Sequence, residues 1–143
     1  MAEFRLDPAF VATAAALGDL PLCHARLQLD ARYPWIVLVP RVADASELHH
    51  LSAAERVQLM EEIVWASEAV RTIGGAVDVP VDKLNVGALG NITRQLHIHV
   101  VGRSPGDPAW PGPVWGHSPA EAYQPDALEA AIAAARESLK IQP

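Results

Sequence analysis

The sequence predicts an α+β fold built on a mostly antiparallel sheet. Three observations carry that expectation. Two apolar segments, Leu20 to Leu29 and Trp35 to Val39, are joined by a short polar turn. A long capped segment after Ser52 repeats apolar residues every three or four positions. A second pair of strand-like segments then leads into an alanine-rich helix. A chain of 143 residues suits one domain, 1–143, with its core drawn from about 20–103.

The elements follow in order. Asp7 and Pro8 open an N-terminal helix over 8–17, the aspartate as cap and the proline at the first helical position. Ala9 to Leu17 is apolar enough to resemble the core of a signal peptide. Glu3 and Asp7 occupy the flank that would be positive, however, and Asp19 follows at once, which favours the helix. Leu20 to Leu29 begins as a turn and alternates from Cys23 onward, as a strand does. Trp35 to Val39 is rich in β-branched residues and stopped by Pro40, and reads as a central strand forming a hairpin with its predecessor. Ser52-Ala53-Ala54-Glu55 is a capping box, and Leu59, Ile63, Ala66, Val70 and Ile73 form one stripe on a helix of about six turns. Gly74-Gly75 is read as its end. Lys83 to Gly87 is strand-like, Gly87 to Thr93 is a glycine-containing loop, and Gln95 to Val101 is a strong strand. The segment 104–117 is rich in proline and carries Trp110 and Trp115, which indicates a packed loop. A C-terminal helix is expected over 125–140, with Leu128, Ile132 and Leu139 among its apolar positions.

Half the residues are hydrophobic and a fifth are charged, the balance of a soluble globular protein. Seventeen acidic residues against eleven basic ones give a formal charge of -6, and no two basic residues are adjacent. Such a chain is not expected to bind nucleic-acid polymers, although backbone amides can still hold a small anion. Cys23 is the single cysteine, so no internal disulfide is possible, and it is expected in the core. No apolar run approaches the roughly 20 residues that span a bilayer, so the cytoplasm is the expected location and no membrane partner is expected.

The chemistry concentrates near residue 97. Residues two apart on a strand share a face, so a strand from Gln95 places Gln95, His97 and His99 in one polar row. Leu96, Ile98 and Val100 would pack on the core. Imidazoles on an open face admit three readings: solvated histidines, two ligands of a metal ion, or groups for nucleophilic and proton-transfer chemistry. A metal site needs a third ligand, and His24, His49, His50 and His117 have no diagnostic spacing, so no metal and no other cofactor is expected. The preceding Asn85 to Asn91 supplies two amide side chains, Asn85 and Asn91, with Gly87 and Gly90 between them. Amides donate to phosphate oxygens and glycine allows close backbone approach, which suits a phosphate cradle.

The run Gln95-Leu96-His97-Ile98-His99-Val100-Val101 resembles the defining motif of the histidine triad (HIT) superfamily, with glutamine in place of the first histidine. Gly102-Arg103, the Asn85 to Asn91 loop and Trp35 to Arg41 resemble segments of the same family over about Leu20 to Arg103. The Trp- and Pro-rich run after Pro105 resembles a bacterial branch that also has glutamine first. The resemblance implies a HIT-like sheet of about five strands, a long central helix and a C-terminal helix. It implies catalytic roles for His97, His99 and Gln95. His97 would be the nucleophile that becomes nucleotidylated, His99 would contact the phosphate and assist the leaving group, and the Gln95 carbonyl would orient the His97 ring. Asn85, Gly90 and Asn91 would bind substrate. The activity implied is hydrolysis or transfer at the α-phosphate of a nucleotide conjugate, such as a dinucleoside polyphosphate or a nucleoside phosphoramidate, by a cytoplasmic homodimer. Trp35 stands where many members carry a further histidine, and this departure together with Gln95 keeps open the alternative of a nucleotide-binding module with negligible turnover. The remaining polar and aromatic candidates read as ordinary: His49-His50 solvated, Glu61-Glu62 an exposed helix face, and Trp35, Trp110 and Trp115 packing residues, with His117 beside the late loop.

Overall fold

The computed structural model describes residues 2–142. Helix α1 spans Pro8–Thr13, and strands β1, β2 and β3 span Ala14–Asp19, Cys23–Gln28 and Trp35–Pro40. A 3-10 turn at Leu48–His50 precedes the long helix α2, Ala53–Val77. Strands β4, Lys83–Gly87, and β5, Ile98–Arg103, follow, and helix α3, Pro125–Leu139, comes last. The five strands form one antiparallel sheet in the order β1-β2-β3-β5-β4. This is the α+β, five-stranded fold with a long central and a C-terminal helix.

Both faces of the sheet are covered. Ala25 and Leu27 of β2, Ile36 and Leu38 of β3, and Ile98 and Val100 of β5 pack against α2 and α3. On the reverse face Trp35, Val37, Val39 and Val101 meet Phe10 of α1 and Ala109 and Val114 of the late loop. β3, central in the sheet, is buried at all six positions, which explains its unbroken apolar run. The lone Cys23 is in the core, and its thiol pKa is pushed up chiefly by burial and also by Glu62. Among the described residues no helix is long and apolar enough to cross a membrane.

Three expectations are corrected here. The N-terminal helix does not run over 8–17. It stops at Thr13, and Ala14–Asp19 is the edge strand β1, paired with β2 through a bulge between Ala16 and Gly18. Alanines favour helix, but the open edge of β2 and the burial of Ala14 and Leu17 outweigh that weak preference. Arg26 fixes the change of direction by donating Nε–H to the Phe10 carbonyl and Nη2–H to the Ala14 carbonyl.

Helix α2 runs through Gly74-Gly75 to Val77 and ends at Asp78, which takes the left-handed conformation. Gly74 is needed for close approach: a Cβ there would stand 2.6 Å from the Val79 carbonyl oxygen, which folds back over the helix.

The third correction concerns Glu61-Glu62. Glu61 is exposed, but Glu62 is fully buried. Its carboxylate accepts the backbone N–H groups of Leu22 and Cys23 at 2.8 and 2.7 Å and the Gln58 amide at 2.8 Å. The start of β2 is thereby tied to the middle of α2. His49 and His50 are exposed as expected, with His50 Nδ1 accepting from the backbone of Ser46 and Glu47.

Glu62→Ala is expected to destabilise the fold by about 3 kcal/mol or more, because two backbone donors lose their acceptor in a buried setting. Glu61→Ala should change stability by less than about 0.5 kcal/mol. Urea unfolding of the two variants beside the parent measures both.

Candidate active site

A cleft of about 550 Å³ opens on the sheet face opposite α2. Trp35, His97, His99 and Trp115 line it, with Gly90 and Asn91 at the loop side. The sheet register sets this arrangement. His99 lies opposite Val37 on β3 and opposite Gly87 on β4, and Trp35 lies opposite Val101. A Cβ on Gly87 would stand 3.1 Å from the Trp115 ring, so the absence of a side chain at 87 admits the indole beside His99.

The strand does not begin at Gln95. β5 starts at Ile98, and Gln95 and His97 precede it on an extended approach, where Leu96 N–H bonds the Ala45 carbonyl. His97 and His99 still lie together, ring centroids 4.9 Å apart and nearly perpendicular. Gln95 does not join the row: its side chain turns to the N-terminal segment, and its carbonyl reaches His97.

Two hydrogen bonds fix the imidazole tautomers. His97 Nδ1 lies 2.7 Å from the Gln95 carbonyl oxygen. A carbonyl only accepts, so His97 carries its proton on Nδ1 and, when neutral, its lone pair on Nε2. His97 is buried but lines the cleft, and Nε2 has no hydrogen-bond partner among the described residues. The second bond has the opposite sense. Trp35 Nε1–H donates to His99 Nδ1 at 3.0 Å. An indole only donates, so neutral His99 carries its proton on Nε2. Burial, and then the neighbouring His97, hold the His99 pKa down to about 4 from 6.5. Trp35 is therefore more than a packing residue. The sequence signal for it was an indole on the same sheet face as the histidines, but the contact depends on the register of β3 against β5.

Aromatic edges confine both rings. Phe10 packs edge-on to His97 with centroids 4.8 Å apart, and Trp115 lies 5.5 Å from His99. Phe10 was not marked by the sequence, since it sits in a helix some ninety positions away.

Asn85 is not brought to the cleft. Its Oδ1 accepts from Arg103 Nη1 at 2.8 Å, and it is absent from the cleft lining. Arg103 is fully buried, pairs with Asp107 at 2.7 Å, and donates to the Gly112 carbonyl at 2.8 Å. Asn85 thus helps anchor the loop that carries Trp110 and Trp115. His117 is exposed and bonds its neighbour Ser118. Among the described residues no three His, Cys, Asp or Glu side chains converge as a metal site.

Residues 9–106 match the family model described as HIT domain. Solved structures of histidine triad proteins are similar over nearly the whole chain. One from Bradyrhizobium japonicum is 38% identical with a TM-score of 0.89, covering 96% of this chain and 99% of that one. One from Sinorhizobium meliloti is 39% identical with a TM-score of 0.86, covering 94% and 96%. One from Marinobacter aquaeolei is 37% identical with a TM-score of 0.88, covering 97% and 98%. No curated protein matches the chain.

The lowered His99 pKa makes stability depend on pH. The unfolded chain takes up the His99 proton near pH 6.5 and the folded chain only near 4, so the folded state loses stability as pH falls through that interval. His99→Gln is expected to flatten that limb. The difference between parent and variant in urea midpoint, measured from pH 7 to pH 4, isolates the contribution from that of the carboxylates.

Proposed function

The chain belongs to the HIT family, and from that membership and the geometry of the cleft we propose a nucleotide-binding hydrolase or transferase that acts at the α-phosphate of a nucleotide conjugate. The observation that carries this reading is the Gln95 carbonyl bond to His97 Nδ1, which leaves Nε2 as the ring nitrogen available to a ligand. In the first step the Nε2 lone pair attacks the α-phosphorus. A P–N bond forms, the bond from phosphorus to the leaving group breaks, and the leaving group departs with the electron pair. In the second step water attacks the same phosphorus, the P–N bond breaks, and the nucleoside monophosphate leaves. An acceptor alcohol or amine in place of water makes the reaction a transfer.

The other residues take supporting roles. His99 Nε2–H donates to a non-bridging phosphate oxygen, where charge grows in the transition state. Gly90 and Asn91, at the cleft margin, hold phosphate oxygens by backbone and amide donors. Asn85 supports the site through Arg103 rather than by touching substrate.

One observation favours a second reading, a nucleotide-binding module with slow turnover. Trp35 occupies His99 Nδ1, the nitrogen through which a proton relay to a further group would run. A panel of dinucleoside polyphosphates and nucleoside phosphoramidates, followed for release of nucleoside monophosphate, separates the two readings.

His97→Ala is expected to lower turnover by about 10³-fold or more with the fold intact. Mass spectrometry of parent protein quenched and kept at alkaline pH, where the P–N bond survives, should find a nucleotidyl group on His97, and a variant retaining a tenth of the activity would remove His97 from its role. Chelators are expected to leave the rate unchanged. A homodimer is also proposed. Val57, Met60, Val64 and Trp65 leave an apolar strip exposed on α2, and β4 is an open sheet edge. Light scattering at micromolar concentration tests this, and a monomer there is the contrary result.

A further inference from the structure

The Gln95 side chain makes two hydrogen bonds, and neither is to the cleft. Its Oε1 accepts Asp7 N–H at 2.8 Å, and its Nε2–H donates to the Arg5 carbonyl at 2.8 Å. These two backbone groups flank Leu6. A parallel β-neighbour would offer its own peptide groups to the same pair, so the amide substitutes for a strand beside Leu6. Leu6 and Phe4 thereby pack on the cluster that contains Phe10, Trp35 and Val101.

The clamp leads directly to the proposed nucleophile. Asp7, held by Gln95, caps α1 by accepting Ala9 N–H at 2.9 Å. One turn later Phe10 sets its ring edge-on to His97 at 4.8 Å. The far end of α1 is fixed by Arg26, which takes the Phe10 and Ala14 carbonyls. A six-residue helix has little stability of its own, so its place depends on these two fastenings. His97 then has its Nδ1 on the Gln95 carbonyl, the His99 ring on one edge and the Phe10 ring on another.

We infer that the side chain of Gln95 is a positioning residue: by clamping residues 5–7 it seats Phe10 against the His97 ring, and the same residue that fixes the tautomer of the nucleophile through its carbonyl fixes the ring's tilt through its amide. Glutamine suits the task because one amide presents a donor and an acceptor side by side. A neutral imidazole has one of each on diverging directions and can serve only one of the two backbone groups. The inference rests on His97 as the nucleophile for its kinetic consequence, but the structural coupling of position 95 to His97 stands apart from any activity.

The test uses Gln95→Ala, Gln95→Glu, Phe10→Leu and the double variant Gln95→Ala with Phe10→Leu in the full chain. Gln95→Glu keeps the size and the acceptor and removes the donor to Arg5. NMR at fixed pH reads the His97 ring-proton shift, and hydrogen exchange reads the amides of residues 5–10. Gln95→Ala should move the His97 resonance in the same direction as Phe10→Leu, by loss of the Phe10 ring current, and should speed exchange over 5–10. Gln95→Glu should fall between parent and alanine. On an accepted nucleotide substrate each single variant should lower kcat about tenfold with KM within about twofold, as expected for a slightly misplaced nucleophile. The double variant should be no slower than the worse single variant by more than about twofold, because both act through one ring.

An unchanged His97 resonance in Gln95→Ala overturns the inference, as do kinetic losses that multiply in the double variant. The NMR and exchange results decide the coupling even where no nucleotide is turned over, so failure of the clamp and failure of the nucleophile assignment are separate outcomes.

Discussion

Two imidazoles held in opposite hydrogen-bonding senses are the constraint around which the cleft is arranged. His97 gives its Nδ1 proton to a carbonyl, and His99 takes a proton donor at Nδ1 from an indole. One ring therefore offers a lone pair and the other an N–H, although their centroids are only 4.9 Å apart. Had both rings been free to choose, each would sample both tautomers and the pair would offer the productive combination only part of the time. The protein supplies this order with two neutral groups. No carboxylate orients either ring, and Asp30, the carboxylate that lines the cleft, is paired with Arg32.

Buried arginines perform the second task, which is holding irregular chain against a regular sheet. Arg26 secures the end of α1, and Arg103 secures the late loop through Asp107, Gly112 and Asn85. A guanidinium has several donors in a fixed plane, so a single side chain can satisfy carbonyls from two segments at once. Regular pairing is interrupted at the α1–β1 junction and in the late loop, and there these two residues bond the carbonyls of Phe10, Ala14 and Gly112. The aromatic rings that confine the two histidines, Phe10 against His97 and Trp115 against His99, are both delivered by chain fastened in this manner.

What was legible in the sequence was local. The capping box at Ser52 and Glu55 formed as read, because all of its partners lie within three residues. The β2–β3 hairpin followed from two apolar runs and a short turn. His97 and His99 were identifiable because a polar pair stood where core packing asks for none. The missing part was nonlocal. Ala14 to Leu17 is helix-forming by composition and becomes β1 only because an unpaired edge lies beside it. Glu62 looks like its exposed neighbour until the rotation of α2 and the start of β2 are known together. Trp35 and Phe10 meet the histidines through sheet register and through a helix placed by distant groups, neither of which leaves a periodic trace. Asn85 carried the right chemistry for a phosphate contact, but its side chain is held by Arg103, eighteen residues on, and does not line the cleft.

The two-ended fastening of α1 has a consequence for inheritance. Residue 95 and residues 5–7 are joined by two hydrogen bonds although some ninety positions separate them, so a substitution at one alters the setting of the other. A lineage that exchanges glutamine for another residue at 95 without altering the opening segment keeps the motif and loses the wall behind it. A lineage that trims or replaces its first residues releases position 95 to take on a different duty. Divergence at the start of the chain, often dismissed as drift in a tail, is here a change felt at Gln95, two residues from the proposed nucleophile.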